Sequence, residues 1–349
     1  MTRPIRVLVV DDSAFVRKVV TQMLSRSSAI EVVGTARDGV DALEQVELLT
    51  PDVITLDLVM PRMNGVEFLR AQGARRPIPV VICSIAHESG ALALEALEAG
   101  AVEFVQKPTA LATDRVYEIA DELIAKVLVA GQTSVGRADS VPSGSQSGRG
   151  GRAVRAPRPH STDIVVLGIS TGGPQGLRVV IPRLPADFPV PVAMVLHMPV
   201  GYTAMYAQRL NEISALEVVE VGEGDVLRPG VVWLAPAGRH LTFVRSPGNA
   251  VLAHLDIRPH DTQHRPAVDV LFSSAAHVFG SRVLGVVMTG MGNDGLLGAA
   301  HIKAQGGTII TEDESSCVVY GMPRAVVEAS LSDRVATLDD MADAIMELI

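Results

Sequence analysis

Three segments of this chain end an apolar run in a residue type that can serve acyl-transfer chemistry. The first, residues 163–173, runs an apolar strand into the pattern Gly168-x-Ser170-x-Gly172, which is typical of a nucleophile elbow. Glycines on both sides of the serine allow a sharp turn, so Ser170 Oγ can stand exposed at the carboxyl end of a strand. A serine nucleophile in this position needs a general base.

Candidates for the base and for its orienting partner lie further along the chain. His197 closes the apolar run that begins at Val190, and Asp294 follows the run from Val283 within a glycine-rich loop. Because the carboxyl ends of parallel strands face one crevice, residues distant in sequence can meet there. The sequence therefore predicts a triad of Ser170, His197 and Asp294, in a chain order unlike that of familiar hydrolases. Taken singly, the three residues also fit a plain tight turn, a strand-end histidine and a helix N-cap.

A second constellation follows the apolar runs near the start of the chain. Asp11 and Asp12 come after the first run, and Asp57 ends the third. Three carboxylates at adjacent strand ends repel one another unless a cation lies among them, and an all-oxygen cluster suits Mg²⁺. Ser84 and Lys107 end the fourth and fifth runs. Their hydroxyl group and positive charge are the groups that would hold a phosphoryl group on Asp57.

The elements that must position this second constellation alternate between strand and helix. Apolar runs predict strands at 5–10, 30–35, 53–58, 80–84 and 102–105, and helical periods predict helices at 14–25, 40–49, 65–75, 91–99 and 114–129. Such alternation is typical of a doubly wound parallel sheet. For the whole chain we predict the α/β class, with two doubly wound parallel-sheet domains, one flavodoxin-like and one Rossmann-like.

The chain divides at a segment, residues 131–161, in which Gly, Ser, Pro and Arg replace every apolar pattern. It holds five arginines against one aspartate. As a flexible coil it would span on the order of 30 Å. We therefore predict a first block at 1–130 and a second block at 162–349, joined by a flexible linker at 131–161.

Length and composition exclude several classes of protein. The chain has 349 residues and a formal net charge of −9, which argues against nucleic acid as its main partner. No stretch approaches the roughly 18 apolar residues of a membrane span, so a cytoplasmic protein without membrane insertion is expected. The two cysteines, Cys83 and Cys317, lie in strand-like apolar runs and are expected to be buried, reduced thiols.

The first block resembles the receiver domain of two-component response regulators. The resemblance rests on Asp11, Asp12, Asp57 with Met60-Pro61, Gly65, Ser84, Phe104 and Lys107-Pro108. It implies phosphorylation of Asp57, with Mg²⁺ held by Asp11, Asp12 and Asp57. It also implies that Ser84, Phe104 and Lys107 act as switch residues, and that the Lys107-Pro108 peptide bond is cis.

The second block resembles the catalytic domain of the chemotaxis methylesterase family CheB. The matching motifs are Gly168-Ile-Ser-Thr-Gly-Gly173, His197-Met-Pro199, His264-Arg-Pro266 followed by Val268-Asp-Val-Leu-Phe272, Thr289-Gly-Met-Gly-Asn-Asp-Gly295 and Cys317-Val-Val-Tyr-Gly-Met-Pro323. The resemblance implies Ser170 as nucleophile, His197 as base and Asp294 as its orienter. It further implies that the Met291 amide contributes to an oxyanion hole and that Thr171 supports the site. Asn64, where many receivers have aspartate, and the long arginine-containing linker depart from the family pattern.

The resemblance also implies a function. The expected activity is that of a phosphorylation-activated protein-glutamate methylesterase, a carboxylic ester hydrolase that also deamidates receptor glutamines. Methyl-accepting chemoreceptors are the expected substrates and a histidine kinase the expected phosphodonor, with Mg²⁺ needed at the receiver and no cofactor for ester hydrolysis. The alternative is a phosphorylation-controlled binding or signalling protein, or a paralogue that acts on receptors outside motility.

Two further motifs have competing interpretations. Gly290-x-Gly292-x-x-Gly295 matches a dinucleotide-binding fingerprint after a strand, but it lies too late in its block for the usual six-stranded fold. His260 and His264 have the histidine spacing of a metalloprotease motif, but the glutamate of that motif is missing. Solvated loop histidines are the favoured interpretation.

Overall fold

The structure, a computed structural model, describes residues 3–75, 77–84, 90–107, 115–131 and 162–349. Most of the predicted linker lies outside the described residues. Pro108, and with it the expected cis peptide bond, also lies outside them.

Five strands and five helices alternate along the first block. They are β1 (Ile5–Val10), α1 (Ala14–Leu24), β2 (Ile30–Ala36), α2 (Gly39–Leu49), β3 (Val53–Leu56), α3 (Gly65–Gly73), β4 (Val80–Ser84), α4 (Gly90–Glu98), β5 (Glu103–Gln106) and α5 (Arg115–Ala130). The strands form one parallel sheet in the order β2-β1-β3-β4-β5. Buried aliphatic side chains cover both faces of this sheet, and the inner strands β3 and β4 are buried along their whole length.

Every predicted element of the first block is present, with ends that differ by at most two residues. The largest strand difference is at β3, which was expected to reach Leu58 and ends at Leu56. The Leu58 N–H donates to Asp57 Oδ1 at 2.8 Å instead of joining a strand ladder. The side chain of Asp57 therefore turns the backbone away from the sheet.

The second block contains a larger parallel sheet and a hairpin. Its elements are β6 (Ile164–Ile169), α6 (Gly173–Val180), β7 (Val192–Leu196), α7 (Thr203–Glu212), β8 (Glu217–Glu220), β9 (Val231–Leu234), β10 (His240–Arg245), β11 (Val251–Asp256), α8 (Val268–Phe279), β12 (Val283–Val287), α9 (Leu296–Ala304), β13 (Thr308–Glu312), α10 (Met322–Glu328), β14 (Arg334–Ala336) and α11 (Met341–Met346). Seven strands form a parallel sheet in the order β14-β13-β12-β6-β7-β9-β8, and β10 and β11 pair antiparallel. The predicted α/β class with two doubly wound parallel sheets is confirmed.

Sheet order brings the candidate catalytic residues together. Strand β6 lies between β12 and β7, and all three run parallel. Ser170, His197 and Asp294 each follow one of these strands, so they share one edge of the sheet. The strand order changes direction at β6, because β7 lies on one side of it and β12 on the other. Open α/β sheets place their binding sites at such a point.

The two cysteines differ in their surroundings. Cys83 is buried on β4, and burial raises the pKa of its thiol to about 12. Cys317 is not on a strand, and that prediction was wrong. The carboxylate and carbonyl of Asp313 accept hydrogen bonds from the following residues and end β13 in a turn, which leaves Cys317 half-buried in a loop.

The two blocks are in contact through helix α4, which packs against α6 and α7. Glu98 accepts hydrogen bonds from Arg178 at 2.9 Å and from Arg209 at 3.1 Å. Gln175 Nε2 donates to the carbonyl of Leu97 at 2.9 Å. Within the part of the chain that the structure describes, no helix is long and apolar enough to cross a membrane.

Candidate active site

Ser170 lies in the turn that joins β6 to α6. Its N–H donates to the Thr289 carbonyl at 2.9 Å, which ties the turn to the loop after β12. Gly172 has φ of 77°, a left-handed conformation that a residue with a side chain rarely adopts. A side chain on Gly290 would begin 2.8 Å from Ser170 Cβ, so glycine is needed there for the two loops to touch. The predicted sharp turn at Ser170 is therefore present.

His197 bridges the other two members of the predicted triad. Its Nδ1 lies 3.1 Å from Ser170 Oγ, and its Nε2 lies 2.9 Å from Asp294 Oδ2. The side chains of His197 and Asp294 are only 9% and 12% exposed, so little water competes for these contacts. The structure thus brings together all three residues that the sequence placed at separate strand ends.

The ionisation of Asp294 fixes the tautomer of His197. Burial works to raise the pKa of Asp294, but the hydrogen bond and charge of His197 and two backbone N–H groups outweigh it and lower that pKa. An ionised carboxylate can only accept, so Nε2 of His197 carries the proton and donates to Asp294. The Nδ1 lone pair is left free to accept the proton of Ser170. The arrangement can therefore activate a serine hydroxyl by general-base catalysis.

The carboxylate of Asp294 is held by the start of helix α8. Oδ2 accepts from Val268 N–H at 2.8 Å, and Oδ1 accepts from Asp269 N–H at 2.9 Å. The interpretation of Asp294 as N-cap of the helix that follows it is wrong, because Gly295 occupies that position without a side-chain cap. Asp294 instead accepts hydrogen bonds from the N-terminus of the neighbouring helix α8, where a negative charge is favoured.

Asp269 in turn accepts hydrogen bonds from the N-terminus of α9, a role that the sequence did not predict. Its Oδ1 accepts from Gly295 N–H at 2.9 Å and from Gly298 N–H at 2.7 Å. The N-terminus of α8 is therefore capped by Asp294, which precedes α9, and the N-terminus of α9 is capped by Asp269, which lies in α8. An acidic residue in the first turn of a predicted helix was the available signal, but it does not reveal a partner on another helix.

We expect Asp269→Ala to destabilise the protein by about 1–2 kcal/mol, because two N–H groups at the start of α9 lose their acceptor. Ester hydrolysis should fall about tenfold, since the loop that carries Asp294 is no longer fixed. Asp269→Asn keeps a side-chain oxygen and should retain most of both properties. Urea titration and an esterase assay measure the two effects, and equal stability of the alanine and asparagine variants would contradict the capping role.

The loop after β12 also supplies candidate oxyanion donors. The amide of Met291 follows the Gly290 that touches Ser170, and within the described residues it donates no hydrogen bond. Thr171 is buried, and its carbonyl accepts from Thr289 Oγ1 at 3.0 Å. Both predicted support residues therefore lie near Ser170.

Behind this loop lies a buried carboxyl group whose role at this site the sequence did not predict. Glu312, at the end of β13, is fully buried and accepts from Thr289 N–H at 2.9 Å and from Ser316 Oγ at 3.0 Å. Burial raises the pKa of Glu312. Glu312 therefore holds the loop from the side opposite to Ser170, a contact that only the adjacency of β12 and β13 creates.

Ser170 and His197 line a crevice whose opposite wall belongs to the first block. Leu97, Glu103, Phe104 and Lys126 complete that wall. The ring of Phe104 lies 5.0 Å from that of Tyr202, close to the start of α7. Lys126 forms ion pairs with Glu103 and Glu122 and donates to the Phe104 carbonyl at 2.7 Å. In this arrangement the first block covers the crevice.

The carboxylate cluster of the first block is assembled at the ends of β1 and β3. One oxygen from each of Asp11, Asp12 and Asp57 lies within 4.8 Å of the others, a donor set that fits Mg²⁺. Lys107 Nζ contacts Asp11 at 2.6 Å and Asp57 at 2.8 Å. Burial raises the pKa of Asp57, and Lys107 opposes this effect. Ser84 is buried at the end of β4 in the same sheet.

The two competing motif interpretations find no support in this geometry. The Gly290 to Gly295 loop presents Asp294 to His197, and it contacts the serine turn rather than an open phosphate cradle. Among the described residues, the aspartates of the first block are the only group of three or more side chains placed to bind a metal ion, so His260 and His264 belong to none.

Two family models match the chain. Residues 165–345 match the CheB methylesterase family, and residues 7–116 match the response regulator receiver domain. The crystal structure of the Thermotoga maritima CheB methylesterase catalytic domain is 42% identical, with a TM-score of 0.53, over 54% of this chain and 100% of that one.

Relatives match over nearly the whole length. The protein-glutamate methylesterase/protein-glutamine glutaminase 5 of Myxococcus xanthus is 54% identical over 97% of this chain and 96% of its own. The protein of the same name from Symbiobacterium thermophilum, without the numeral, is 46% identical over 99% of this chain and 98% of its own. The resemblance seen in the sequence is confirmed: the chain belongs to the CheB methylesterase family, with a response regulator receiver domain in front of the catalytic domain.

Proposed function

We propose that this protein hydrolyses methyl esters on glutamate side chains of methyl-accepting chemoreceptors and also deamidates receptor glutamines. The observation that carries the proposal is the placement of His197 between Ser170 Oγ and Asp294. The family and the names of full-length relatives support the choice of ester and amide over other acyl substrates.

The first half of the proposed reaction is acylation of Ser170. His197 Nδ1 takes the hydroxyl proton as Oγ attacks the ester carbonyl, and such general-base assistance contributes typically ~10²–10⁴-fold. The oxygen that becomes negative is met by the amides of Met291 and Thr171, and one donor of this kind contributes about 10²–10³-fold. The carbon to methoxy bond then breaks, and the methoxy oxygen leaves as methanol with the proton from His197.

The second half releases the glutamate. His197 removes a proton from water, which attacks the acyl carbon, and the bond to Ser170 Oγ breaks as that oxygen regains the proton. The products are a glutamate carboxylate and the free serine. A glutamine substrate enters the same acyl-enzyme by losing ammonia in place of methanol.

The receiver domain supplies control over this site. We propose that a histidine kinase donates a phosphoryl group to Asp57, with Mg²⁺ held by Asp11, Asp12 and Asp57. Lys107 and Ser84 would then contact the phosphoryl oxygens, and Phe104 would carry the change to the surface that meets Tyr202. Phe104 lines the crevice and its ring contacts that of Tyr202, which supports this route. The proposed place of action is the cytoplasm, where kinase and receptor helices meet the enzyme.

The test of the function is release of methanol from methylated receptor by the full chain, with and without a small phosphodonor and Mg²⁺. We expect slow release that rises when phosphodonor is added. Omitting Mg²⁺ should remove the rise and leave the slow release, because the ion serves the receiver site alone. Absence of methanol in every condition would overturn the enzyme and leave a phosphorylation-controlled binding protein.

A further inference from the structure

A second histidine covers one face of the catalytic base. The rings of His264 and His197 are stacked, with centroids 4.0 Å apart and an angle of 23° between their planes. Neither ring nitrogen of His264 is hydrogen-bonded to any described residue. The contact between the two residues is therefore one of ring faces, and His264 takes no part in the hydrogen-bonded line from Ser170 to Asp294.

The loop that carries His264 is anchored by a third, fully buried histidine. Nδ1 of His240 accepts from Ala267 N–H at 3.1 Å, so its Nε2 carries the proton and donates to the Pro259 carbonyl at 3.2 Å. The Arg265 carbonyl accepts from Gly238 N–H at 2.9 Å on the same side. His240 thus joins both ends of the segment 259–267, and the position of His264 over His197 is built into the fold.

His264 is uncharged at neutral pH, because its pKa lies well below that pH. Part of the residue is exposed to solvent, yet burial of the stacked ring and the neighbouring His197 lower the pKa of His264 to about 4. The other charged groups that face this pair are Asp294 from the loop after β12 and Lys126 and Glu103 from the first block. The last two form an ion pair with each other.

We propose that His264 is a positioning residue for ester hydrolysis, acting through the stacked face of His197. The inference rests on the proposed function. During each half-reaction His197 must keep Nδ1 on the moving proton and Nε2 on Asp294 while it gains and loses charge. A ring stacked at 4.0 Å blocks rotation of the imidazole out of that line and keeps water from one face. A neutral aromatic face also attracts the positive charge that His197 acquires.

The test compares three variants of the full chain in the methanol-release assay with phosphodonor present. His264→Ala should lower kcat about tenfold with little change in KM, because the stack acts on the base and not on substrate. His264→Phe keeps a flat neutral ring and should restore kcat to within about threefold of the parent chain. His260→Ala, an exposed histidine of the same loop, is the matched control and should leave kcat unchanged.

The outcomes separate the possible roles. A kcat for His264→Ala equal to that of the parent chain overturns the proposal. Equal losses in the alanine and phenylalanine variants also overturn it, and a changed pH profile in the phenylalanine variant would point to proton transfer by His264 itself. Failure of the unsubstituted chain to release methanol would count against the proposed function. If His264→Ala fails to fold, as judged by its thermal transition, the phenylalanine variant and its pH profile decide the question.

Discussion

Ser170→Ala in the full chain is expected to abolish methanol release, with a fall in kcat on the order of 10⁶-fold, as when a serine nucleophile is removed from a triad. The physical reason is that Oγ forms the bond to the acyl carbon, and no other described side chain lies within hydrogen-bond reach of His197 Nδ1. The measurement is single-turnover release of methanol from methylated receptor.

The fold should survive this change. Among the described residues, Ser170 Oγ forms a hydrogen bond with His197 alone, and the backbone hydrogen bonds of the turn do not involve it. The variant should therefore unfold at the same urea concentration as the parent chain. Its affinity for methylated receptor should also persist, which provides a control that binding and chemistry are separate. Substantial turnover by a correctly folded Ser170→Ala chain would remove Ser170 from the nucleophile role.

The second large effect concerns the cover over the crevice. A fragment that begins at Thr162 should hydrolyse ester faster than the unphosphorylated full chain, because the wall formed by Phe104 and Lys126 is gone. If the full chain is open about 1% of the time, a common population for a minor state, the gain is about a hundredfold. Methanol release by equal concentrations of the two proteins measures it. Equal rates would show that the first block does not limit access to Ser170.

Two substitutions in the full chain test how the cover is controlled. Asp57→Asn should leave the slow rate in place and remove the response to phosphodonor. Glu98→Gln weakens the contacts with Arg178 and Arg209 and should raise the rate of the unphosphorylated chain about threefold, since partly exposed ion pairs contribute little each. The 162–349 fragment lacks Glu98, and its rate of methanol release is the upper limit with which the rates of both variants are compared.

The sequence predicted most of the fold because its signals are local. The inner strands β3, β4, β6, β7 and β12 are buried along their whole length, so each of these runs and the polar residue after it could be located without any partner. The triad could be predicted for the same reason, since Ser170, His197 and Asp294 each follow such a run. The roles of these three residues stay predictions until the variants are assayed.

The residues that were missed depend on contacts between distant segments. Asp269 and Glu312 lie in ordinary helix and strand positions. Their roles depend on the distant N–H groups, of Gly295 and Thr289, from which they accept hydrogen bonds in the fold. The stacking of His264 on His197 and the contact of Glu98 with two arginines are of the same kind. Cys317 was misplaced because the short apolar run that begins at Cys317 lies in a loop, beyond the turn at Asp313 that follows β13.

The exchange of caps between α8 and α9 has a consequence for local unfolding. Opening of α8 would move Asp269 away from the N–H groups of Gly295 and Gly298. Opening of α9 would move Asp294 away from the N–H groups of Val268 and Asp269. Neither helix can therefore fray at its start without freeing an acceptor that the other needs. The two N-termini form one cooperative opening unit, and the carboxylate of Asp294 is part of the structure that keeps it closed.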